Sequence, residues 1–385
     1  MPAVTLSRLV EECDRLRATP AAEMVDVADA VGRTLAADLR ALVAIPALDV
    51  AATDGIAVRA ADTPGLLSAM ADSVPGHEPP RPIDEGQAVR VAAGSPLPRG
   101  ADTVVPLAEA GTLSGMIEIR GDHDPGEHVR RSGEVIMEGV LMLHAGMVVP
   151  ATAVAAMAAV GHARIPVLAR PRVAVVSVGD GMLPLGSRLR PWQRIDANPV
   201  GLAAQIVAAG AMVARSVSVE NRQDAVVSAI EAALASAVDL IVMVGGDTPA
   251  VPRPVDRALT HLGMESIVDG LLVDPCESLR IRTHADATVL VLPGDPVAAA
   301  VGWQLAGRGL LGHPLNWEYR APLGASVART AGTPSAVRCI MRAGVLHPLA
   351  AETAHAVTNL ALANALALVH PEDPPGASVP WSPLD

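Results

Sequence analysis

The chain has 385 residues and a formal net charge of −12, and 50% of its residues are apolar although phenylalanine is absent. This length exceeds what one hydrophobic core usually organises and predicts about two to four domains. The negative charge and the lack of a basic run exclude a nucleic-acid groove, which needs cationic side chains against the phosphates. Cys13, Cys276 and Cys339 have no paired spacing, which excludes a disulfide framework or zinc knuckle and indicates a reducing compartment.

The N-terminal segment, Met1 to Arg17, has the pattern of an amphipathic helix and not that of a signal sequence. The apolar face of this helix consists of Leu6, Leu9, Val10, Cys13 and Leu16. The most apolar window, Leu141 to Val160, is interrupted by Gly146 and Pro150, which favours a buried strand, turn and helix over a membrane span. We therefore expect a soluble cytoplasmic protein without a membrane segment.

Helical segments flank a region rich in Pro and Gly. Thr5 to Leu39 and Pro150 to Val160 are predicted to pack together, so that residues 1–44 and 139–169 form a helical stalk. Residues 45–138 are predicted to form a β-rich insertion domain, because short β-like runs alternate with turn residues. These runs include Ala88 to Val91 and Thr103 to Val105.

The second half of the chain predicts an α/β domain at residues 170–316, because apolar runs alternate with Ala-rich helical stretches as in a parallel sheet covered by helices. The predicted strands are Val173 to Ser177, Met212 to Val219, Asp239 to Val244 and Thr288 to Leu292. The predicted helices lie near Val200 to Ala209, Asp224 to Ala235 and Val297 to Leu305. Residues 317–385 predict a C-terminal β domain, with strands at Val337 to Met341 and Ala365 to Val369 and a frayed Pro-rich tail after Pro371.

Three glycine-bearing turns follow predicted strands, at the edge where ligands of open parallel sheets bind. The turns are Ser177 to Gly181, Gly245 to Pro249 and Pro293 to Pro296. Gly245 and Gly246 let the backbone approach a ligand closely, because no Cβ intervenes. Asp295 is predicted to cap the next helix, with Pro296 at the first helical position. Each turn alone is explained equally well as a tight turn with a helix cap.

Several short motifs occur in order along nearly the whole chain. They are Asp54-Gly55-Ile56-Ala57-Val58-Arg59, Ala93 to Pro98 with Gly100 to Val105, Arg170 to Ala174 leading into Gly179-Asp180, Ile195 to Asn198, Leu292 to Val297, and Ala361 to Leu366. Together they resemble the motifs of the molybdopterin molybdenumtransferases, the family of MoeA and the gephyrin E domain. Any one motif is weakly specific, whereas the ordered set is specific.

The resemblance implies a multidomain α/β fold with a molybdopterin-binding-type parallel sheet, a helical stalk, a β-rich insertion and a C-terminal β domain. It also implies molybdenum cofactor biosynthesis: molybdate is inserted into adenylylated molybdopterin and AMP is released. Molybdopterin or its adenylylated form and molybdate are the implied ligands, with magnesium as a candidate ion. The implied assembly is a homodimer whose site is shared between the α/β domain of one subunit and the β insertion of the other. Other cofactor-assembly proteins or a molybdoenzyme are candidate partners.

The site residues follow from the same resemblance. Asp54 and Asp180 are the candidate catalytic residues, and Asp54 is also the candidate ligand of molybdate or a cation. The candidate cofactor-binding residues are Gly179, Asp196, Asn198, Gly245, Gly246, Asp247, Pro293, Gly294, Asp295, Arg338 and Thr358. Structural alternatives stay open: Asp54 as a turn residue, Asp180 and Asp196 as loop or cap residues, and Arg338 as half of a surface ion pair.

Several reactive positions of the family are replaced. Gly181 stands where the family has Glu, Ala93 where it has Thr, and Ala298 where it has Ser. A lysine-rich family pattern aligns with Gly270, Asp274, Pro275, Cys276 and Glu277. Two like charges about 4 Å apart repel by about 4 kcal/mol near a protein surface, so these acids disfavour the anions molybdate and phosphate.

Two hypotheses follow. In the first, the chain is an active molybdopterin molybdenumtransferase. In the second, it is a catalytically inactive paralogue that binds molybdopterin, the molybdenum cofactor or a partner protein. Turnover of adenylylated molybdopterin and molybdate distinguishes the two.

Overall fold

The computed structural model describes residues 3–246, 253–285, 287–327, 332–349 and 356–384. The chain divides into two compact units, which we call the β unit, Ala22–Leu168, and the α/β unit, Met1–Ala21 with Ala169–Asp385. The finer division into four domains stays a prediction. Within the described ranges, no helix has both the length and the apolar character that crossing a membrane requires.

A six-stranded sheet forms the centre of the β unit and contains both strands predicted for the insertion. In spatial order the strands are Thr103–Pro106, Gly55–Val58, Gln87–Val91, Gly65–Ser73, Met116–Ile119 and Ala110–Leu113. Ile56 and Ala57 lie in two different hydrophobic clusters, because successive side chains of a strand point to opposite faces. The sheet therefore has apolar packing on both sides.

The rest of the β unit is built from short strand pairs and one α-helix, Ala153–Ala159. The pairs are Ala22–Asp26 with Arg164–Leu168, Leu39–Arg40 with Leu141–Leu143, and Val50–Ala51 with Val129–Arg130. The predicted helical structure from Thr5 to Leu39 is wrong beyond Arg15. Pairing with the distant segment Arg164–Leu168 of the same chain outweighs the helical propensity of the Ala residues there.

The N-terminal helix, Leu6–Arg15, belongs to the α/β unit. Its amphipathic face is confirmed, since Leu9 and Cys13 are buried in the main core of that unit. The Thr5 hydroxyl accepts a hydrogen bond from the Arg8 N–H at 3.3 Å and so caps the first turn. Burial, with a smaller contribution from Glu12, raises the pKa of the Cys13 thiol to about 12, so this thiol stays protonated at neutral pH.

A six-stranded sheet organises the α/β unit. Its spatial order is Met212–Val219, Arg172–Val178, Leu240–Gly245, Ala287–Leu292, Arg280–His284 and Glu265–Asp269. The first four strands are parallel and match the four predicted strands. Arg280–His284 pairs antiparallel to both of its neighbours, so the sheet is mixed.

Helices cover both faces of this sheet. Asn198–Ala208 packs with Leu6–Arg15 and with Pro296–Gly302 around one core, and Gln223–Leu234 packs with Pro254–His261 around the other. The helix Pro296–Gly302 continues through a π-helical turn, Trp303–Gly307, into Arg308–Leu310. A Cβ on Gly307 would lie 2.1 Å from the Trp303 ring, so glycine is required where the indole crosses the helix.

The C-terminal part of the α/β unit is an antiparallel five-stranded sheet. Its spatial order is Tyr319–Pro322, Ser378–Pro383, Ala365–Val369, Ser335–Arg342 and Val345–Pro348. The prediction of a frayed tail is wrong for Ser378–Pro383, which lies between two strands. Val379 is buried, and the Trp381 ring packs against Tyr319 with ring centroids 5.4 Å apart, so apolar burial outweighs the Pro-rich composition.

Candidate functional site

Three glycine-bearing turns meet at the carboxyl edge of the parallel strands. Val178 pairs with Gly245 in neighbouring strands, and a Cβ on Gly245 would lie 2.6 Å from the Val178 carbonyl oxygen. A Cβ on Gly294 would lie 3.1 Å from the Gly245 Cα. We call this edge the rim, formed by Gly179–Asp180, Gly245–Gly246 and Gly294–Asp295. The expectation that these turns share one edge is confirmed.

Gly246 shows why the rim needs glycine. Its φ is +86°, and a Cβ there would lie 2.5 Å from Val255 Cγ2 in the following helix. Gly245 has a φ of +84° as well. L-residues with side chains rarely adopt these angles, so both the backbone conformation and the close packing of Val178 and Val255 require glycine here.

Asp196 is fixed by two serine hydroxyls. Ser177 Oγ donates to Asp196 Oδ1 at 3.0 Å, and Ser218 Oγ donates to Oδ2 at 2.7 Å. The carboxylate is buried, and both serines lie near the carboxyl ends of neighbouring strands. Asp196 therefore holds the end of the segment 181–195 against the sheet. Reasoning from the sequence did not identify the two serines.

Asn198 and Asp295 hold adjacent parts of the rim. Asn198 Nδ2 donates to the Gly294 carbonyl at 2.9 Å, linking the start of one helix to the last glycine turn. Asp295 Oδ1 accepts from the N–H groups of Val297 and Ala298 at 2.9 and 3.2 Å. The predicted helix cap is thus confirmed, and Pro293 and Gly294 directly precede it.

Asp180 lies on the exposed side of the rim, where its Oδ1 accepts a hydrogen bond from the Asn221 N–H at 3.1 Å. The Asn221 Oδ1 is buried and has no hydrogen-bond partner among the described residues. Buried acceptors are normally satisfied, so this oxygen is available to a donor group of a ligand. The neighbouring Gly181 has a φ of +71°, a conformation that the glutamate of the family would adopt only with strain.

The loop Gly270–Glu277 carries the acids Asp274 and Glu277 at positions that the motif resemblance aligns with family lysines. Asp274 is anchored through its backbone, since its N–H donates to the Pro334 carbonyl at 3.0 Å and its carbonyl accepts from Ala336 at 2.8 Å. The Cys276 Sγ lies 3.6 Å from the Ala298 carbonyl, which places the loop against the helix that begins at the rim. Desolvation raises the pKa of Glu277, although the side chain is exposed by surface area, and the nearby Asp274 raises it further.

Burial determines the pKa of the thiol in the same loop. Cys276 is fully buried, and desolvation, with smaller contributions from Glu277 and Asp274, raises the pKa of its thiol. It is therefore a structural side chain and not a nucleophile. The chain contains no lysine at any position, so only arginine and histidine can neutralise an anion.

The two C-terminal candidates occupy different environments. Arg338 is buried in the strand Ser335–Arg342, where it pairs in register with Leu366, so the prediction of a surface ion pair is wrong. Thr358 is exposed in the 3₁₀ turn Val357–Ala361, which contacts the helix Pro296–Gly302. Asp247 lies outside the described residues, as do Pro249 and Pro252.

Asp54 lies in the β unit, directly before the strand Gly55–Val58. Its exposed carboxylate accepts a hydrogen bond from the Ala93 N–H at 2.8 Å. A Cβ on Gly55 would lie 2.3 Å from the Val105 carbonyl oxygen, so the Asp-Gly motif fixes this turn. Two of the family-like motifs therefore meet at Asp54.

Metal ligation by Asp54 stays a prediction. The described ranges contain no group of three or more His, Cys, Asp or Glu side chains that could hold a metal ion. A groove of about 710 Å³ in the α/β unit is lined by Leu6, Leu272, Trp317 and Leu368, among others, and by none of the predicted site residues. The rim, and not this groove, carries the polar candidates.

Comparison with known proteins agrees with this geometry. Residues 4–161 match the family model described as MoeA N-terminal region (domain I and II), and residues 174–313 match that described as probable molybdopterin binding domain. Molybdopterin molybdenumtransferase 2 of Mycobacterium tuberculosis is 31% identical over 369 residues, covering 91% of each chain. The chain belongs to the molybdopterin molybdenumtransferase family.

Further relatives support the same membership. Molybdopterin molybdenumtransferase of Nostoc sp. is 31% identical over 289 residues, covering 72% of this chain and 66% of the relative. The crystal structure of a molybdopterin biosynthesis MoeA protein from Pyrococcus horikoshii superposes with a TM-score of 0.88 at 25% identity, covering 100% of this chain and 99% of the other. The multidomain α/β fold implied by the motifs is therefore confirmed.

Proposed function

We propose that this chain is a molybdopterin molybdenumtransferase, which inserts molybdate into adenylylated molybdopterin and releases AMP. The observation that carries the proposal is the convergence of three glycine turns at one sheet edge. The retained motifs and the names of the relatives support it. Molybdate is a substrate here, and its metal ends in the pterin product.

The rim provides the backbone part of the pterin site. Gly245 and Gly246 give the turn its left-handed backbone, and Asn198 holds Gly294 in place through its 2.9 Å hydrogen bond. The buried Asn221 Oδ1 is an acceptor for a ring N–H or amino group of the pterin. Asp196 acts through the strands that it fixes and is a positioning residue.

Charged groups have separate roles. Asp54 would hold a magnesium ion that in turn attracts molybdate, since the carboxylate alone repels the anion, and its Ala93 contact holds the carboxylate in one orientation. Asp180 moves a proton or holds a cation beside the pterin, since its carboxylate is exposed at the rim. Asp274 and Glu277 lower the affinity for molybdate by charge repulsion, and no lysine offsets them.

The assembly is proposed to be a homodimer in the cytoplasm, in which a partner subunit supplies the complementary half of the site. Cofactor-assembly proteins or a molybdoenzyme receive the product. These proposals rest on family membership.

The function is tested by incubating purified protein with adenylylated molybdopterin and molybdate and measuring AMP release together with reconstitution of a molybdoenzyme. We expect AMP in a one-to-one ratio with inserted molybdenum. Pterin binding without AMP release would contradict the transferase and support the inactive paralogue. A control reaction in buffer that contains neither molybdate nor tungstate separates metal insertion from simple hydrolysis of adenylylated molybdopterin.

A further inference from the structure

The segment 181–195 leaves the rim and returns to it. The Arg194 N–H donates to the Gly181 carbonyl at 3.2 Å, and the Asp196 N–H donates to the Leu183 carbonyl at 2.8 Å. These hydrogen bonds belong to the parallel pairing of the short strand Met182–Leu183 with Arg194–Ile195. We call this segment the arginine loop. Its two ends are fixed beside Asp180 and Asp196, so the loop begins and ends at the rim.

The arginine loop is locally cationic on an acidic chain. It contains Arg188, Arg190 and Arg194 and no acidic residue, whereas the whole chain has a net charge of −12. All three arginines are exposed, and in the described part of the chain none forms an ion pair with a carboxylate. Guanidinium groups that are carried on one short segment and lack a carboxylate partner favour an anionic ligand, above all a phosphate.

Trp192 is the second component of the loop. Its side chain is 72% exposed, and the Arg190 guanidinium lies 5.8 Å from the ring centroid. The Arg190 N–H donates to Gln193 Oε1 at 3.1 Å, and the Gln193 N–H donates to the Arg190 carbonyl at 2.9 Å, which fixes the turn holding both side chains. An exposed indole beside a guanidinium is suited to stack on a planar heterocycle.

We propose that the arginine loop binds the nucleotide part of adenylylated molybdopterin, with Trp192 stacked on the base and the arginines paired with the phosphates. The inference rests on the proposed function and assigns residues to one part of its substrate. Base and phosphate are the two groups that an aromatic ring next to several arginines recognises together. Because the chain has no lysine, arginine is the cationic residue for such a phosphate site. Free AMP shares this chemistry and is therefore the probe.

The test is titration of the purified full chain with AMP, adenosine and inorganic phosphate, followed by calorimetry and by tryptophan fluorescence. We expect AMP to bind more tightly than adenosine or phosphate, and its affinity to fall as salt rises. Trp192→Ala is expected to weaken AMP binding about tenfold, Trp192→Phe to restore most of the affinity, and Arg190→Gln to reduce both affinity and salt dependence. Adenylylated molybdopterin is expected to show the same pattern with these variants.

Arg215→Gln is the matched control, because Arg215 is an exposed arginine outside the arginine loop, in the strand Met212–Val219, where it pairs with Ala174. Equal AMP affinity in wild type, Trp192→Ala and Arg190→Gln would overturn the proposal, even if wild type releases AMP from the pterin substrate. The proposal would also be overturned if Trp192→Ala left AMP affinity unchanged and altered only the sedimenting mass. That result would indicate that Trp192 contacts another protein chain. AMP binding through the loop without metal insertion would support it and contradict the proposed transferase.

Discussion

The glycine turns of the rim and the Gly270–Glu277 loop lie in the same unit but depend on different physical properties. The turns are defined by backbone geometry, as the left-handed Gly245 and Gly246 show. The loop differs from the family in charge, because Asp274 and Glu277 stand where lysines are expected. Its backbone is nevertheless anchored by Pro334 and Ala336.

The difference teaches that the fold and the charge of this site are separable. Where a side chain would block the backbone, the residues that resemble the family are retained. At Gly270–Glu277 the resemblance predicts a change of charge, and the backbone of the loop is held by contacts that do not involve the charged side chains. The arginine loop supplies cationic groups at another part of the same rim.

The largest expected effect is on the geometry of the turns. Gly246→Ala places a Cβ 2.5 Å from Val255 at a φ of +86°, and strain with overpacking is expected to lower the free energy of unfolding by about 3–5 kcal/mol. Gly181→Ala is the control, because its φ is +71° but nothing lies within 4 Å of the added Cβ, and a loss of only about 1 kcal/mol is expected. Urea unfolding measures both, and equal losses would contradict the close packing at Gly246.

The next effect concerns charge at Asp54. Asp54→Asn keeps an oxygen that can accept from the Ala93 N–H but removes the negative charge, so AMP release is expected to fall about a hundredfold with unchanged stability. Asp38→Asn is the control, because Asp38 is an exposed aspartate that accepts the Ala145 N–H at 2.9 Å in the same unit. Similar rates for the two variants would remove Asp54 from the reacting groups.

A smaller effect is expected when the charge of the loop is reversed. Asp274→Lys with Glu277→Lys should raise molybdate affinity about tenfold at low salt, with less gain as salt screens the charges. Glu231→Lys with Glu318→Lys makes the same change in net charge at exposed positions elsewhere and should have little effect. Calorimetry with molybdate decides the outcome, and equal gains in both pairs would show that only overall charge matters. Gly181 is left unchanged because a glutamate there would be strained.

The smallest effect is a pH dependence from Glu277. Its folded pKa is raised above the ordinary value of a glutamate, so the folded chain binds more protons there than the unfolded chain. The free energy of unfolding therefore falls as pH rises from about 4.5 through the folded pKa. Glu277→Gln should remove this loss and gain less than about 1 kcal/mol on wild type between pH 4 and 7, since the exposed carboxyl is screened by solvent.

Ser278→Ala is the control for this measurement, because it changes an exposed neighbour that does not titrate. Thermal unfolding across the pH range is the readout. A stability difference between Glu277→Gln and wild type that stays constant with pH would contradict the raised pKa.

Much of the fold could be predicted because its signals are local. The four parallel strands are apolar runs, and the Asp295 cap follows from its position before Pro296. The strand Ala22–Asp26 could not be predicted, because its partner Arg164–Leu168 is distant in sequence. The strand Ser378–Pro383 could not be predicted either, because its prolines disfavour a strand in sequence-based reasoning.

The candidate site was predicted in outline because its motifs are also local signals in the sequence. Motif order located the glycine turns, but the contacts that fix them are long-range. Ser177 and Ser218 meet Asp196 only after two strands and a loop have come together. The arginine loop has a composition that the sequence reveals, whereas its closure at Gly181 and Leu183 depends on the folded backbone.

The central claim, that the rim binds adenylylated molybdopterin, is tested most directly by hydrogen–deuterium exchange of the full chain with and without that ligand. We predict slower exchange at residues 179–183, 245–246 and 294–298, with little change in the distant strand Val345–Pro348. Saturating ligand that leaves the exchange at all three glycine turns unchanged would contradict the claim.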